Sequence, residues 1–267
     1  MRADQTLVAR QLARSRTVAQ ALIAAGCVSA ASGAGWSTVT KPSQDIPDGL
    51  ELKVETSDDD RYVSRGGLKL AGALAHTGLD VAGLDCLDVG QSTGGFSDCL
   101  LQAGAARVVG VDVGHGQLDA RLRGDARIVC IEHLNARTLD ADALGRHMPA
   151  GGFDLVVCDA SFISLTLLLP RWPALLAPHG RVLTLVKPQF ELGPDALGKG
   201  GIVRDTAQYA ALEVRMRTFA DANGLIALDY FDSPITGGDG NREFFLHAAK
   251  HPGTHHDERL EQAHLQR

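Results

Sequence analysis

The sequence predicts an α/β fold: a mostly parallel, seven-stranded sheet preceded by a small α+β segment. Two observations carry this. Apolar runs of β type recur at residues 84–89, 107–112, 127–132, 153–158, 181–187, 225–231 and 243–248, with helix-compatible segments between them. Alternation of that kind gives a sheet covered on both faces. Before residue 64 the pattern differs, with two short helical periodicities followed by short, turn-rich β pieces. The 267 residues suffice for one large and one small domain.

In the small segment, LVARQLA and TVAQALIAA place apolar residues at helical spacing, and Ser15-Arg16-Thr17 between them supplies a turn and an N-cap. Gly26 ends the second helix, where positive φ is favoured. Short β pieces follow at 27–29 and 37–40, with 30–35 read as flexible between them. Lys41-Pro42 and Ile46-Pro47-Asp48-Gly49 give turns, and 50–55 alternates like a strand. The expected boundaries are a small domain at 1–56, a solvated linker at 57–63, the main domain at 64–250 and a polar, His-rich tail at 251–267.

Composition removes several function classes. Hydrophobic content of 45% and charged content of 22% are those of a soluble globular protein. No apolar run approaches the ~20 residues of a membrane span. The first residues lack the apolar stretch of a secretion signal, so a cytoplasmic protein without a membrane partner is expected. Cys27, Cys86, Cys99, Cys130 and Cys158 form no CxxC pair, and the ten histidines show no HExxH spacing. Reduced, mostly buried thiols and no metal are the expectation. The net charge of −6 hides a basic stretch: residues 1–41 hold Arg2, Arg10, Arg14, Arg16 and Lys41 against Asp4 alone. For phosphate contacts, a local basic face matters more than the total.

The run Leu84-Asp85-Cys86-Leu87-Asp88-Val89-Gly90-Gln91-Ser92-Thr93-Gly94-Gly95-Phe96 reads as a strand, a glycine-rich turn and a helix. Gly90 and Gly94 let backbone approach a ligand, and the helix start offers free N–H groups. The GxGxxG dinucleotide fingerprint is missing. The D-x-G-x-x-x-G-G arrangement instead suits S-adenosylmethionine, with Asp88 facing the methionine ammonium. The next strand ends in Asp112, 24 residues on, where a carboxylate can accept both ribose hydroxyls of an adenosine. Asn135, after the third strand, is placed for the adenine edge. Ser92 and Thr93 fit a ligand contact or a helix cap equally well.

Asp159 and Lys187 each end a strand of the parallel set, which puts them at the cofactor edge of the sheet. Lys69 lies at the start of a helix before the first strand, and Glu243 begins the last strand. A hydroxyl acceptor needs a base and in-line positioning. A lysine close to another cation and partly desolvated can serve as such a base. Each residue alone also fits a bland role, Lys187 as a surface lysine after a strand, and spacing does not join the four.

The motifs SRGGLKL, LDVGQSTGGFSDCLLQ, VDVGHGQLD, DLVVCDASFISL, VKPQFE, GKGGIVRD and SPITGGDGNREFF together resemble the hemolysin A-like (TlyA) rRNA methyltransferases over about residues 1–248. The resemblance implies an FtsJ-like 2′-O-methyltransferase domain of Rossmann-like fold, dependent on S-adenosylmethionine, behind an S4-like RNA-binding domain. It implies a catalytic tetrad at Lys69, Asp159, Lys187 and Glu243, with Lys187 as base and the others orienting it and the hydroxyl. The substrate it implies is a cytidine ribose of ribosomal RNA within assembled subunits, and the enzyme is expected to act as a monomer. Asp159 also counts among the expected cofactor contacts, with Asp88, Gly90, Ser92, Thr93, Gly94, Asp112 and Asn135. Arg2, Arg14, Arg16 and Lys41 of the S4-like domain, with Arg65 and Arg137 beside the site, are the expected RNA contacts.

Three departures stand out. The usual V-x-V-N-G hairpin appears as residues 28–35 followed by Trp36, and the Arg-x-Trp-Val linker as Asp60-Arg61-Tyr62-Val63. Gln91 stands where the resemblance implies a small residue, to crowd the methionine end or to point outward. Three competing readings have their own discriminators. A non-catalytic RNA-binding factor would not bind S-adenosylmethionine, and a membrane-active hemolysin needs an apolar or strongly amphipathic element. A nicotinamide oxidoreductase lacks its glycine fingerprint here.

Overall fold

A computed structural model of the chain describes residues 1–13, 15–33, 35–54 and 61–252. Arg14, most of the expected linker and the tail beyond residue 252 lie outside them. The chain divides into two compact units, Met1–Arg61 and a second that begins at Tyr62.

In the first unit, α1 (Ala3–Ala9) and α2 (Arg16–Ala24) share a core with an antiparallel sheet of order β2-β1-β3, formed by β1 (Val28–Ser32), β2 (Gly35–Thr38) and β3 (Leu52–Val54). Ser15 starts α2 by accepting the Val18 N–H at 3.3 Å. Within the run 30–35, expected to be flexible, Ala30–Ser32 instead belong to β1 and Gly35 opens β2, so that Ala31 faces Trp36 and Ser32 faces Gly35. Small residues carry little β propensity; here the cross-strand ladder and the burial of Ala30 hold the strand.

Asp4 is fully buried and gathers Arg2 Nε, Arg16 Nη2 and Gln20 Nε2, each at 3.0 Å. The bonds from Arg2 and Gln20, joined by Arg16, hold its carboxyl well below the usual range. Of the expected RNA contacts, Arg16 thus ties α2 to α1 and Arg2 braces Asp4 from the start of α1, while Lys41 is exposed.

The second unit runs α3 (Gly66–Thr77), β4 (Asp85–Val89), α4 (Gly95–Gln102), β5 (Arg107–Val111), β6 (Ile128–Ile131), α5 (Ala141–Leu144), β7 (Phe153–Cys158), α6 (Trp172–Leu175), β8 (Leu176–Val186), α7 (Pro188–Glu191), α8 (Gln208–Ala222), β9 (Leu225–Asp232) and β10 (Phe244–Lys250). The seven strands lie in the order β6-β5-β4-β7-β8-β10-β9. All neighbours from β6 to β8 are parallel, and β10 is antiparallel to both β8 and β9. Strand alternation splits the core. Leu87, Val89, Val109 and Val111 pack with Trp172, Leu212 and Met216 on one face. Cys86, Val108, Leu155 and Val157 pack with Leu70, Leu74 and Leu100 on the other. Strand β8 starts five residues before the expected 181, because Pro178 and Gly180 break the apolar run without ending the pairing.

Tyr62 and Val63, read from the sequence as linker, are buried in this second core. The Val63 N–H donates to Asp98 Oδ2 at 2.7 Å, and a Cβ on Gly67 would come within 2.3 Å of the Tyr62 ring. The acidic run before them masks an apolar pair that seats the start of α3. Among the described residues no helix is long and apolar enough to cross a membrane.

Candidate active site

From β4 the chain moves outward through β5 and β6, then returns to the other side of β4 with β7. Such a reversal opens a crevice at the C-terminal ends of the strands. A cavity of about 1170 Å³ lies there, above the roughly 300–1,000 Å³ of ordinary small-molecule clefts. That is room for a cofactor with a second ligand beside it.

One half is made by the turns after β4, β5 and β6. Gly90 takes φ +82°, and a Cβ on it would stand 3.1 Å from Ala160 Cα and 3.2 Å from Ala160 N. The two loops meet backbone to backbone, as only glycine allows. Asp112 ends β5, and its carboxylate accepts the Ser92 N–H at 2.8 Å and the Gly114 N–H at 2.7 Å. Backbone amides therefore fix it while lone pairs remain for a ligand. Ser92 Oγ donates to Gln117 Oε1 at 3.1 Å, and Asn135 Oδ1 accepts the Arg137 N–H at 3.0 Å. Gly90, Ser92, Thr93, Asp112, Asn135 and Arg137 all line the cavity, with Val113, Leu134 and Ala136 as apolar wall. Acceptors for hydroxyls beside an apolar slot fit a nucleoside.

Asp88 and Gly94 do not line it. Asp88 lies on the α4 face of the sheet, buried, and accepts from Ser97 Oγ at 2.7 Å. Ser97 in turn accepts from Gln91 Nε2 at 2.8 Å. Burial pushes the Asp88 carboxyl up to about 7; the Ser97 bond opposes this, and the carboxylate of Asp159 adds to it. Gln91 is among the residues lining the cavity, but its side chain is buried against Gly110, where a Cβ would meet its amide at 2.0 Å, so it does not point outward. Gly94 sits at φ +94° before α4, with Leu118 and Leu122 in the space of a side chain.

The other half is built from charges. Lys187 Nζ lies 2.5 Å from Asp159 Oδ1 and donates to Ser161 Oγ at 2.8 Å. Lys69 Nζ donates to Glu243 Oε2 at 2.5 Å. Side-chain exposure is 9% for each lysine, 3% for Glu243 and 23% for Asp159, so removing either partner would leave a buried group unpaired. Topology explains the meeting. Asp159 and Lys187 follow parallel β7 and β8, whereas Glu243 precedes antiparallel β10, whose Phe244 pairs with Val186 at the end of β8. Helix α3 brings Lys69, one turn after Gly66, whose Cβ position is 3.5 Å from Asp159 Oδ2.

The cavity also holds residues that the sequence did not single out: Ser161, Phe162, Gln189 and Asp239. Phe162 is 91% exposed at φ +63°, with its ring centroid 5.3 Å from that of Phe190. An aromatic beside a strand-end acid, in the run Asp159-Ala160-Ser161-Phe162, is the signal that could have found it. Arg65 immediately precedes α3 and is exposed outside the cavity lining.

The FtsJ-like methyltransferase family matches residues 62–250. The 16S/23S rRNA (cytidine-2′-O)-methyltransferase TlyA of Mycobacterium tuberculosis is 43% identical over 92% of this chain and 88% of its own length. Hemolysin A of Brachyspira hyodysenteriae is 38% identical over 92% of this chain and 99% of its own. A solved structure from Streptococcus thermophilus, also described as a hemolysin, superposes with a TM-score of 0.69 at 39% identity, covering 94% of this chain and 88% of that one.

Proposed function

The chain belongs to the FtsJ-like methyltransferase family, and we propose that it moves the methyl group of S-adenosylmethionine to the 2′-hydroxyl of a cytidine in ribosomal RNA, on assembled subunits. The observation that carries this reading is two lysine–carboxylate pairs standing beside a nucleoside-shaped half-cavity.

When bound, S-adenosylmethionine supplies an electrophilic methyl group that needs in-line attack by oxygen. Asp112 would hold its ribose hydroxyls and Asn135 its adenine edge, between Val113 and Leu134, with the backbone at Gly90 close to the methionine end. Ser92 and Thr93 line the mouth of that turn. The acceptor hydroxyl must lose its proton as the new O–C bond forms and the C–S bond breaks. Lys187 Nζ, entering the step as the neutral amine, takes that proton and becomes the ammonium. Asp159 and Ser161 fix the amine, and Asp159 balances the ammonium once the proton has arrived. The Lys69–Glu243 pair orients the ribose and sets a second cation beside the oxygen that gains charge.

The first unit, basic over residues 1–41, serves as an S4-like docking module, with Lys41 and the free donors of Arg2 and Arg16 on phosphates. Arg65 and Arg137 serve the same end nearer the site, and exposed Phe162 offers a face for a base to stack on. The enzyme acts as a cytoplasmic monomer on this reading.

Lys187→Ala tests the assignment. Methyl transfer to ribosomal subunits should fall at least about 10³-fold, while S-adenosylmethionine affinity in calorimetry stays the same. Retained activity would take Lys187 out of the role of base.

A further inference from the structure

Two acceptors in the reacting half take no part in the ion pairs. Gln189, two residues after Lys187, is 9% exposed, and its Oε1 is buried without a hydrogen-bond partner. Its Nε2 donates to Asp239 Oδ2 at 3.3 Å, which leaves the oxygen as the unused end of the amide. Asp239 is held further by Asn241, whose Nδ2 is 2.9 Å from Oδ2 and whose backbone N–H is 3.0 Å from Oδ1. Burial alone would raise the Asp239 carboxyl, but the bonds from Asn241 and Gln189 outweigh it and hold the group below its ordinary value.

Asn241 is itself anchored, donating to Gly201 O at 3.0 Å and accepting the Val203 N–H at 3.0 Å. Both acceptors line the cavity. Asp239 Oδ1 and Glu243 Oε1 lie 2.8 Å and 2.7 Å from the place a Cβ on Gly237 would take. The pair therefore stands immediately beside the tetrad, rigid and poor in free donors. A buried amide oxygen left unpaired is costly, and a ligand group that donates to it removes the cost.

We propose that Gln189 and Asp239 read the exocyclic amine of the target base, selecting a 4-amino pyrimidine over a 4-oxo one. The inference rests on the ribose-methylation reading. Cytosine presents N4–H donors where uracil presents a carbonyl oxygen. Against a carboxylate and an amide oxygen, the amine is paired and the carbonyl meets two acceptors. The base and the 2′-hydroxyl belong to one nucleotide, as the adjacent positions of Asp239 and Glu243 require. Sites built to pair a substrate N–H reject analogues that lack it by up to about 10⁴–10⁵-fold.

The test is single-turnover transfer from labelled S-adenosylmethionine by the full-length protein to ribosomal subunits with cytidine or uridine at the mapped position. The wild type should favour cytidine by at least about 100-fold. Gln189→Met, similar in volume but without the acceptor, should narrow that preference about tenfold through a slower cytidine reaction. Asp239→Asn, which can turn a donor toward the uracil carbonyl, should narrow it through a faster uridine reaction. Cofactor affinity, unchanged in both variants, confirms their fold. A preference unaltered in both variants, or rates that fall equally for the two nucleotides, overturns the proposal. Equal wild-type rates on cytidine and uridine overturn it while ribose methylation stands; no ribose methylation at all removes the reading beneath it.

Discussion

The cofactor half of the cavity is made of neighbours in sequence, and the reacting half of strangers. Residues 90–93 follow β4 directly and are clamped to Asp112 through a backbone amide. Lys69 and Glu243 are 174 positions apart, and Asp159 and Lys187 are 28 apart. The first half works by backbone shape, with side chains as accessories. The second works by paired buried charges, each of which is a liability without its partner. Damage should therefore differ in kind between them: loss of stability and chemistry on one side, modest loss of cofactor affinity on the other.

The largest effect is expected where a buried pair is broken. Glu243→Ala leaves the Lys69 ammonium without its partner and should cost about 3–5 kcal/mol in urea unfolding. Lys69→Met combined with Glu243→Leu should recover most of that stability without restoring activity. A single-variant cost below about 1 kcal/mol would place the pair among exposed salt bridges and break the comparison.

Asp88 gives the next effect, beneath the cofactor turn. Its carboxyl is raised from 3.8 to about 7 in the folded protein. The folded state then holds a proton that the unfolded chain releases, so this contribution is complete below about pH 4 and is lost as pH rises through 7. Stability of the ligand-free protein should fall over that interval by on the order of 3 kcal/mol. In Asp88→Asn, neutral throughout, this component of the slope should disappear. Equal slopes in the two proteins would mean that Asp88 does not carry it.

The smallest effect sharpens the backbone side. Gly90→Ala forces a side chain into positive φ against Ala160, at about 1–2 kcal/mol. Affinity for S-adenosylmethionine should fall about tenfold, while transfer at saturating cofactor changes less. Unchanged affinity would show that the turn does not cradle the cofactor.

The same contrast explains what could be read from the sequence. The β4 turn was legible because its residues adjoin, and Asp159 and Lys187 because the ends of parallel strands coincide in space. Glu243 required knowing that β10 runs antiparallel between β8 and β9, and Lys69 that α3 packs at the same edge; strand periodicity encodes neither. Asp88 misled because period 2 also permits its actual direction, beneath α4 onto Ser97. Gln189 and Asp239 carried no signal, since an amide in a one-turn helix and an acid in a loop resemble any surface pair until burial leaves one oxygen unpartnered. In the small unit, the helices and the Ser15 cap followed local rules. The β1–β2 ladder, in which Ala31 and Ser32 face Trp36 and Gly35, depends on cross-strand pairing that composition does not reveal.

The central claim, ribose methylation at the paired-charge half of the cavity, has one direct test. Purified protein is incubated with unmodified small and large ribosomal subunits and methyl-labelled S-adenosylmethionine, and the RNA is digested to nucleosides. The label is expected in 2′-O-methylcytidine. Label in a base-methylated nucleoside, or none in RNA from protein that binds the cofactor, would contradict it.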